Sequence, residues 1–152
     1  MKKIKIFIKS ILIPIIVGGV VSLFISKSIN YNDLIKPKLA PPSVLFPIVW
    51  TILYILMGIS YGILESKGLT DKRAKILYYS QLFVNALWSI IFFIFKCRLF
   101  AFIWIILLDI LVVYMIINFY SKNKLAGLLQ IPYLVWILFA TYLNFSIYLL
   151  NR

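Results

Sequence analysis

The feature that most constrains the fold is a series of long apolar runs that together occupy most of the chain. Residues 10–26, 39–64, 76–95 and 125–151 carry no charge, and a fifth run, 99–120, is interrupted only by Asp109. An α-helix of roughly 20 apolar residues crosses a bilayer core of about 30 Å. The chain has 152 residues, of which 64% are hydrophobic, far more than a soluble domain requires. The sequence therefore predicts an all-α integral membrane protein, a five-transmembrane-helix up-and-down bundle.

We predict these helices at about residues 8–26, 44–64, 75–95, 99–120 and 125–150, with a lid loop over 27–43. The short connections leave no room for a soluble domain, so residues 1–152 are expected to form a single membrane domain. The lysines of residues 1–10 would also fit a cleaved signal peptide. Because the apolar run is long for a signal core and Ser26-Lys27-Ser28 is a poor cleavage site, we favour an uncleaved first helix.

The net charge of +12 is carried by the N-terminal tail and the connections rather than by one face. This distribution follows the positive-inside rule and disfavours nucleic acid as a partner. Ten Lys and Arg residues fall on the side of the N-terminus, residues 65–75 and residues 121–124, against six on the other side. We therefore expect a multi-pass protein of a bacterial cell membrane, with a cytoplasmic N-terminus and an external lid.

Histidine is absent and Cys97 is the single cysteine. No intrachain disulfide can form, and the commonest metal ligand and general base is missing. Histidine-box desaturases, zinc-dependent membrane proteases and His-ligated cytochromes are therefore excluded. We expect no metal site, no required cofactor and no catalytic residue of the ordinary acid–base or nucleophilic kind.

The lid contains Lys36-Pro37 and Pro41-Pro42 and runs directly into the second helix. Prolines stiffen a loop because their φ angle is fixed. Phe46, Trp50 and Tyr54 follow at intervals of four and share one helical face. A stiff lid above an aromatic wall indicates a pocket for a flat apolar ligand. The alternative is an ordinary external loop followed by lipid-facing aromatic residues.

Two further helices carry a face that combines polar and aromatic residues. These residues are Gln81, Asn85, Trp88 and Ser89 in helix three, and Pro132, Trp136, Ala140, Leu143 and Asn144 in helix five. Hydrogen bonding between helices would explain the two asparagines taken singly. Together with the aromatic stripe of helix two, the two faces favour a central cavity. In helix one, Gly18 and Ser22 form a small-xxx-small pair that permits close contact with another helix.

The motifs resemble those of the tryptophan-rich sensory protein family, also called the translocator protein (TspO/MBR) or peripheral-type benzodiazepine receptor family. The matching patterns are Y-x-x-L-x-K-P-x-x-x-P-P-x-x-x-F-x-x-x-W-x-x-L-Y-x-x-x-G at 31–58, N-A-L-W-S-I-I-F-F at 85–93, and P-Y-L-V-W-I-L-F-A-T-Y-L-N at 132–144. With five spans, the resemblance covers essentially the whole chain. It departs from the family at Asn30 and Leu39, where family members usually carry tryptophan.

The resemblance implies a homodimeric five-helix bundle whose pocket, beneath the lid, accepts porphyrins, haem-like tetrapyrroles, sterols and synthetic aromatic ligands. Carried over by position, the pocket residues are Tyr31, Pro41, Phe46, Trp50, Tyr54, Asn85, Trp88, Ser89, Trp136, Ala140 and Leu143. The resemblance also implies light-dependent breakdown of bound protoporphyrin, with the indoles of Trp50 and Trp136 as redox partners. We therefore expect a membrane receptor for tetrapyrroles that acts as a sensor, scavenger or carrier.

Two polar features leave alternatives open. Asp109 lies in mid-span, either as a protonated group bonded to a neighbouring helix or as the coupling site of a small proton-driven transporter. Leu143, Tyr148 and Arg152 fit a weak cholesterol-recognition pattern, or simply anchor helix five at the interface. A third alternative is a scaffold whose pocket is vestigial, since two lid tryptophans are missing.

Overall fold

The computed structural model describes residues 2–28 and 31–152. Its helices are α1 (Lys2–Ile25), α2 (Leu45–Ser66), α3 (Lys72–Ser89), α4 (Arg98–Lys122), α5 (Lys124–Leu128) and α6 (Ile131–Asn151). A single 3₁₀ turn, Tyr31–Asp33, lies in the described part of the lid. Within the described residues, five helical segments are long and apolar enough to cross a membrane, the last being α5 and α6 together. The predicted all-α transmembrane fold is therefore confirmed.

Polar residues determine where two of the helices begin. The Asp71 carboxylate accepts a hydrogen bond from the Ala74 amide at 2.9 Å and caps α3. The Asn123 side chain does the same for α5, accepting from the Ala126 amide at 3.1 Å. Such side chains satisfy amide groups that have no partner inside the first helical turn.

The helices in the structure add detail to the predicted ones and differ from them at some ends. α1 begins at Lys2 rather than near residue 8. α3 continues as a π-helical segment, Ile90–Ile94, before the turn that leads to α4. The fifth predicted helix is interrupted after α5, and a new helix begins at Ile131. Pro132 explains that position, since proline cannot donate to a preceding turn and is accepted in the first turn of a helix.

The helices close into a ring in the order α1, α2, α6, α4, α3 and back to α1. α5 packs between α2 and α4 at the end of the bundle opposite the lid. There the Ser60 hydroxyl donates to the Ala126 carbonyl at 2.6 Å and joins α2 to α5. We call the end where α1 finishes and α2 starts the lid end, and the opposite end the far end.

Candidate functional site

A cavity of about 410 Å³ lies at the lid end, inside the ring of helices. Its walls come from α1, the lid, α2, the end of α3 with its π-helical segment, and α6. The volume lies within the roughly 300–1,000 Å³ that is typical of small-molecule sites.

Aromatic rings form most of the inner wall. Phe46 bridges two elements, since its ring centroid lies 5.0 Å from that of Tyr31 in the lid and 5.8 Å from that of Trp136 in α6. Both pairs meet edge to face, an arrangement that the aromatic quadrupole favours. Trp50 lies 5.6 Å from Tyr54 between ring centroids, one turn further along α2. These contacts hold the rings in place around the cavity.

Most of the predicted pocket residues line this cavity. They are Tyr31, Phe46, Trp50, Tyr54, Trp88, Ser89, Trp136, Ala140 and Leu143. Pro41 and Asn85 do not belong to the lining. The Pro41 carbonyl instead accepts a hydrogen bond from the Tyr31 hydroxyl at 2.7 Å, and Asn85 is buried beneath the cavity.

A buried polar network forms the floor below the aromatic wall. The Asn85 amide donates to the Tyr133 hydroxyl at 2.7 Å, and this hydroxyl donates to Gln81 Oε1, also at 2.7 Å. The Tyr54 hydroxyl donates to Asn85 Oδ1 at 3.5 Å, so the network joins α2, α3 and α6. Asn85 therefore joins three helices through hydrogen bonds, which is the structural alternative to contact with a ligand.

Hydrogen bonds hold the Trp88 indole in place, and its partner Asn144 also lines the cavity. Its indole N–H donates to Asn144 Oδ1 at 2.9 Å, and the Asn144 amide donates to the Arg98 carbonyl at 2.9 Å. The chain of bonds connects α3, α6 and the start of α4. Because the indole nitrogen is occupied, Trp88 offers the cavity its ring and not a hydrogen-bond donor.

Several hydrogen bonds fasten the lid over the cavity. Besides the bond from Tyr31 to Pro41, the Lys36 ammonium donates to the Tyr31 carbonyl at 3.0 Å and lies 4.6 Å from the Tyr31 ring centroid. The Asn151 side chain forms two hydrogen bonds with the backbone of Ile35. It accepts from the Ile35 amide at 3.0 Å and donates to the Ile35 carbonyl at 2.8 Å. Burial raises the pKa of the Tyr31 phenol above its ordinary value, so the hydroxyl stays a donor at neutral pH.

Comparison with known proteins agrees with this architecture. The model of the TspO/MBR family matches residues 10–150. The chain belongs to the TspO/MBR family. Its relatives include the tryptophan-rich protein TspO of Archaeoglobus fulgidus, 44% identical over 95% of both chains. TspO of Chlorobaculum tepidum is 40% identical over 80% of this chain and 78% of its own. The human translocator protein is 32% identical over 78% of this chain and 72% of its own.

Membership of the TspO/MBR family confirms the resemblance seen in the motifs, and the protein is a multi-pass integral membrane protein. Of the two departures from the motif, the structure describes only Leu39. Leu39 is 71% exposed and does not line the cavity. Asn30 lies outside the described residues.

The family motifs do not include α1, which also contributes to this TspO/MBR cavity. The α1 residues that line it are Ile15, Gly18, Gly19, Val21, Ser22 and Ile25. Phe92 and Phe93 of the π-helical segment line it as well. The small residues of α1 are the available signal, and the sequence predicts only a helix contact from them. Gly18 makes that contact, since an added Cβ would collide with the Tyr54 ring, and it also borders the cavity. Gly19 and Ser22 line the cavity too, and a Cβ added to Gly19 would meet no atom within 4 Å.

Asp109 lies outside the cavity, on the seam between α4 and α6. The Thr141 hydroxyl is 2.7 Å from Asp109 Oδ2 and 2.8 Å from the Ile137 carbonyl. A hydroxyl has one proton, and the carbonyl can only accept it. The Thr141 hydroxyl therefore donates to Asp109 Oδ2 and shares its one proton with the Ile137 carbonyl. This bond between α4 and α6 favours a structural role for Asp109 over that of a coupling group.

The three residues of the cholesterol-recognition pattern do not share a site. Leu143 lines the main cavity, whereas Tyr148 and Arg152 border a separate hollow at the lid end, beside Asn151. The pattern is therefore better explained as an interfacial anchor of α6. Among residues 2–28 and 31–152, no group of three or more Cys, Asp or Glu side chains lies together where it could hold a metal ion.

Proposed function

We propose that this protein is a membrane receptor for porphyrins and related flat hydrophobic molecules, acting as a sensor, scavenger or carrier. The observation that carries the proposal is the aromatic cavity beneath the lid. Indoles from three helices, Trp50, Trp88 and Trp136, line it together. Stacking on such rings adds about 0.5–1.5 kcal/mol per contact beyond the burial of apolar area.

A tetrapyrrole in this cavity would be held by shape and stacking. The sequence contains no histidine that could ligate a haem iron axially. Ser22 and Ser43 line the part of the cavity next to the lid, where their hydroxyls could donate to the carboxylates of a porphyrin edge. Because no histidine ligates the iron, metal-free macrocycles should bind about as well as iron-containing ones.

The transporter alternative has less support. A coupling carboxyl should contact the substrate path, whereas Asp109 lies outside the cavity and bonds to Thr141. A homodimer and a cytoplasmic N-terminus remain predictions. Reporters fused at Lys2 and Arg152 should appear on opposite sides of the membrane, the first in the cytoplasm.

The test of the proposal is titration of the purified protein with protoporphyrin IX, followed by quenching of tryptophan fluorescence. Trp50→Ala removes one wall and should weaken binding by about 2–4 kcal/mol, as expected for an aromatic hot spot. Trp104→Ala is the matched control, because this indole donates to the Val84 carbonyl at 2.8 Å and does not line the cavity. Absence of saturable binding, or equal loss in both variants, would overturn the proposal.

A further inference from the structure

The seam between α1 and α2 is tightly closed in its far half, by which we mean residues 7–11 of α1 against 58–62 of α2. A Cβ added to Gly58 would collide with the backbone of Ser10 and Ile11. One added to Gly62 would lie 2.7 Å from the Phe7 ring. The two helix backbones therefore approach each other as closely as their atoms allow, and nothing can pass between them.

The lid half of the same seam, residues 19–22 of α1 against 47–51 of α2, is different. A Cβ added to Gly19 would meet no atom within 4 Å. Gly19 and Ser22 on α1, and Pro47 and Thr51 on α2, all line the cavity, and all four are also exposed on the outer surface. Residues that face both the interior and the surroundings mark an opening in the wall.

The antiparallel register of the two helices aligns these residues across the opening. Since Gly58 lies against Ile11 and Tyr54 against Gly18, continuing toward the lid brings Thr51 opposite Gly19. Both positions lie six residues from the lid end of their helix, or about 9 Å at 1.5 Å per residue. At that depth the surroundings are lipid acyl chains rather than water.

The route through the lid is obstructed by comparison. The two bonds from Asn151 to Ile35 attach the lid to the end of α6. The bond from the Tyr31 hydroxyl to the Pro41 carbonyl closes the lid upon itself, and Tyr31 is only 5% exposed. Across the part of the lid that the structure describes, a ligand arriving from water would have to break these bonds, whereas one arriving from the bilayer would not.

We infer that the cavity opens sideways into the bilayer between Gly19 and Thr51, and that its ligand enters and leaves through the lipid leaflet next to the lid. The inference rests on the proposed function, because it concerns the same cavity. It narrows the ligand class to molecules that partition into the acyl-chain region.

The kinetic test compares two neighbouring positions of α1 in lipid nanodiscs, with protoporphyrin IX as the probe. Gly19→Phe places a ring in the opening and should slow both association and dissociation by at least ~10-fold, since a blocked path acts on rates in both directions. Val20→Phe is the matched control, because Val20 is 47% exposed and does not line the cavity. Asn151→Ala, which releases the lid, should leave both rates unchanged. Unchanged rates in Gly19→Phe, or faster exchange in Asn151→Ala, would overturn the inference.

A second test needs no ligand and so separates the entrance from the proposed function. In a Cys97→Ser background, Ala140→Cys places a single thiol on the α6 wall of the cavity. A lipid-soluble maleimide should label it, a sulfonated maleimide should not, and adding Gly19→Phe should slow the labelling by ~10-fold. If labelling follows this pattern while protoporphyrin IX does not bind, the entrance stands and the proposed function fails. Equal labelling by both reagents contradicts the entrance alone.

Discussion

The two halves of the α1–α2 seam use small residues for opposite purposes. In the far half, Gly58 and Gly62 allow two helices to touch, and any side chain there would collide with its neighbour. In the lid half, Gly19 faces open space, and the missing side chain leaves the cavity accessible. A glycine in a membrane helix can therefore permit close contact with another helix or leave a gap beside it. Which of the two occurs depends on how closely the neighbouring helix approaches.

The largest expected effect on stability is at the closed far half of the seam. Gly58→Ala forces a Cβ against backbone atoms that cannot rotate away, so the helices must separate. We expect a loss of about 1–3 kcal/mol in stability, as for other overpacked sites, visible as a lower midpoint of thermal unfolding in detergent. A midpoint equal to that of the parent would mean that the far half of the seam can adjust to an added methyl group, and that the two halves differ little in packing.

The stability should be nearly as sensitive to the polar floor below the cavity. Tyr133→Phe removes the hydroxyl that joins Asn85 and Gln81 and leaves a buried donor and a buried acceptor without a partner. This should cost about 1–3 kcal/mol of stability, measured by the same thermal unfolding. Tyr142→Phe is the matched control on α6, because the Tyr142 side chain is 42% exposed. Equal midpoints for the two variants would show that the floor contributes little.

In the cavity itself, the expected effect is on binding and not on folding. Ala140 is a small residue of the cavity wall, and Ala140→Leu fills space that a ligand would occupy. Affinity for protoporphyrin IX should fall about tenfold, equivalent to roughly 1.4 kcal/mol. Val135→Leu, on the exposed side of the same helix, should bind like the parent. Unchanged affinity in a folded Ala140→Leu protein would show that Ala140 serves only helix packing.

Gly19→Ala gives the direct counterpart of Gly58→Ala. The added methyl meets nothing, and alanine favours the helix over glycine by up to about 1 kcal/mol. The thermal midpoint should therefore stay the same or rise slightly. A drop comparable to that of Gly58→Ala would remove the distinction between the two halves.

The smallest expected effect on stability comes from the ion pair between Lys122 and Asp71, at the far end of the bundle. The hydrogen bond from the Lys122 ammonium, 2.7 Å from Asp71 Oδ2, together with the bond from the Ala74 amide, holds the pKa of Asp71 below its ordinary value. The resulting stabilisation is present above the unfolded pKa and is lost as the pH falls through the lowered folded pKa. Asp71→Asn keeps the cap but removes the charge, so it should be marginally less stable at neutral pH and equal to the parent in acid. An exposed pair contributes little, and a large difference at neutral pH would contradict this assignment.

Apolar runs were sufficient to predict the helices because the bilayer fixes both their length and their composition. The aromatic wall was predictable as well, since Phe46, Trp50 and Tyr54 keep a helical period that the sequence displays directly. The contribution of α1 was not, because Gly19 has no side chain whose chemistry reveals what it faces. The break before α6 was also missed, since Gln130 and Pro132 interrupt the helix without adding a charge to the apolar run.

The π-helical segment Ile90–Ile94 has a consequence for how this cavity can change. Its ladder contains a bond from the Phe95 amide to the Ile90 carbonyl, 3.2 Å long and five residues apart, so this stretch holds one residue more than an α-helical turn needs. Both Phe92 and Phe93 reach the cavity from it. Deleting one residue here would restore regular helix, swing one phenylalanine away and move the following turn by about 1.5 Å. The wall of this site can thus be reshaped by a change in chain length, without exchanging any residue that lines it.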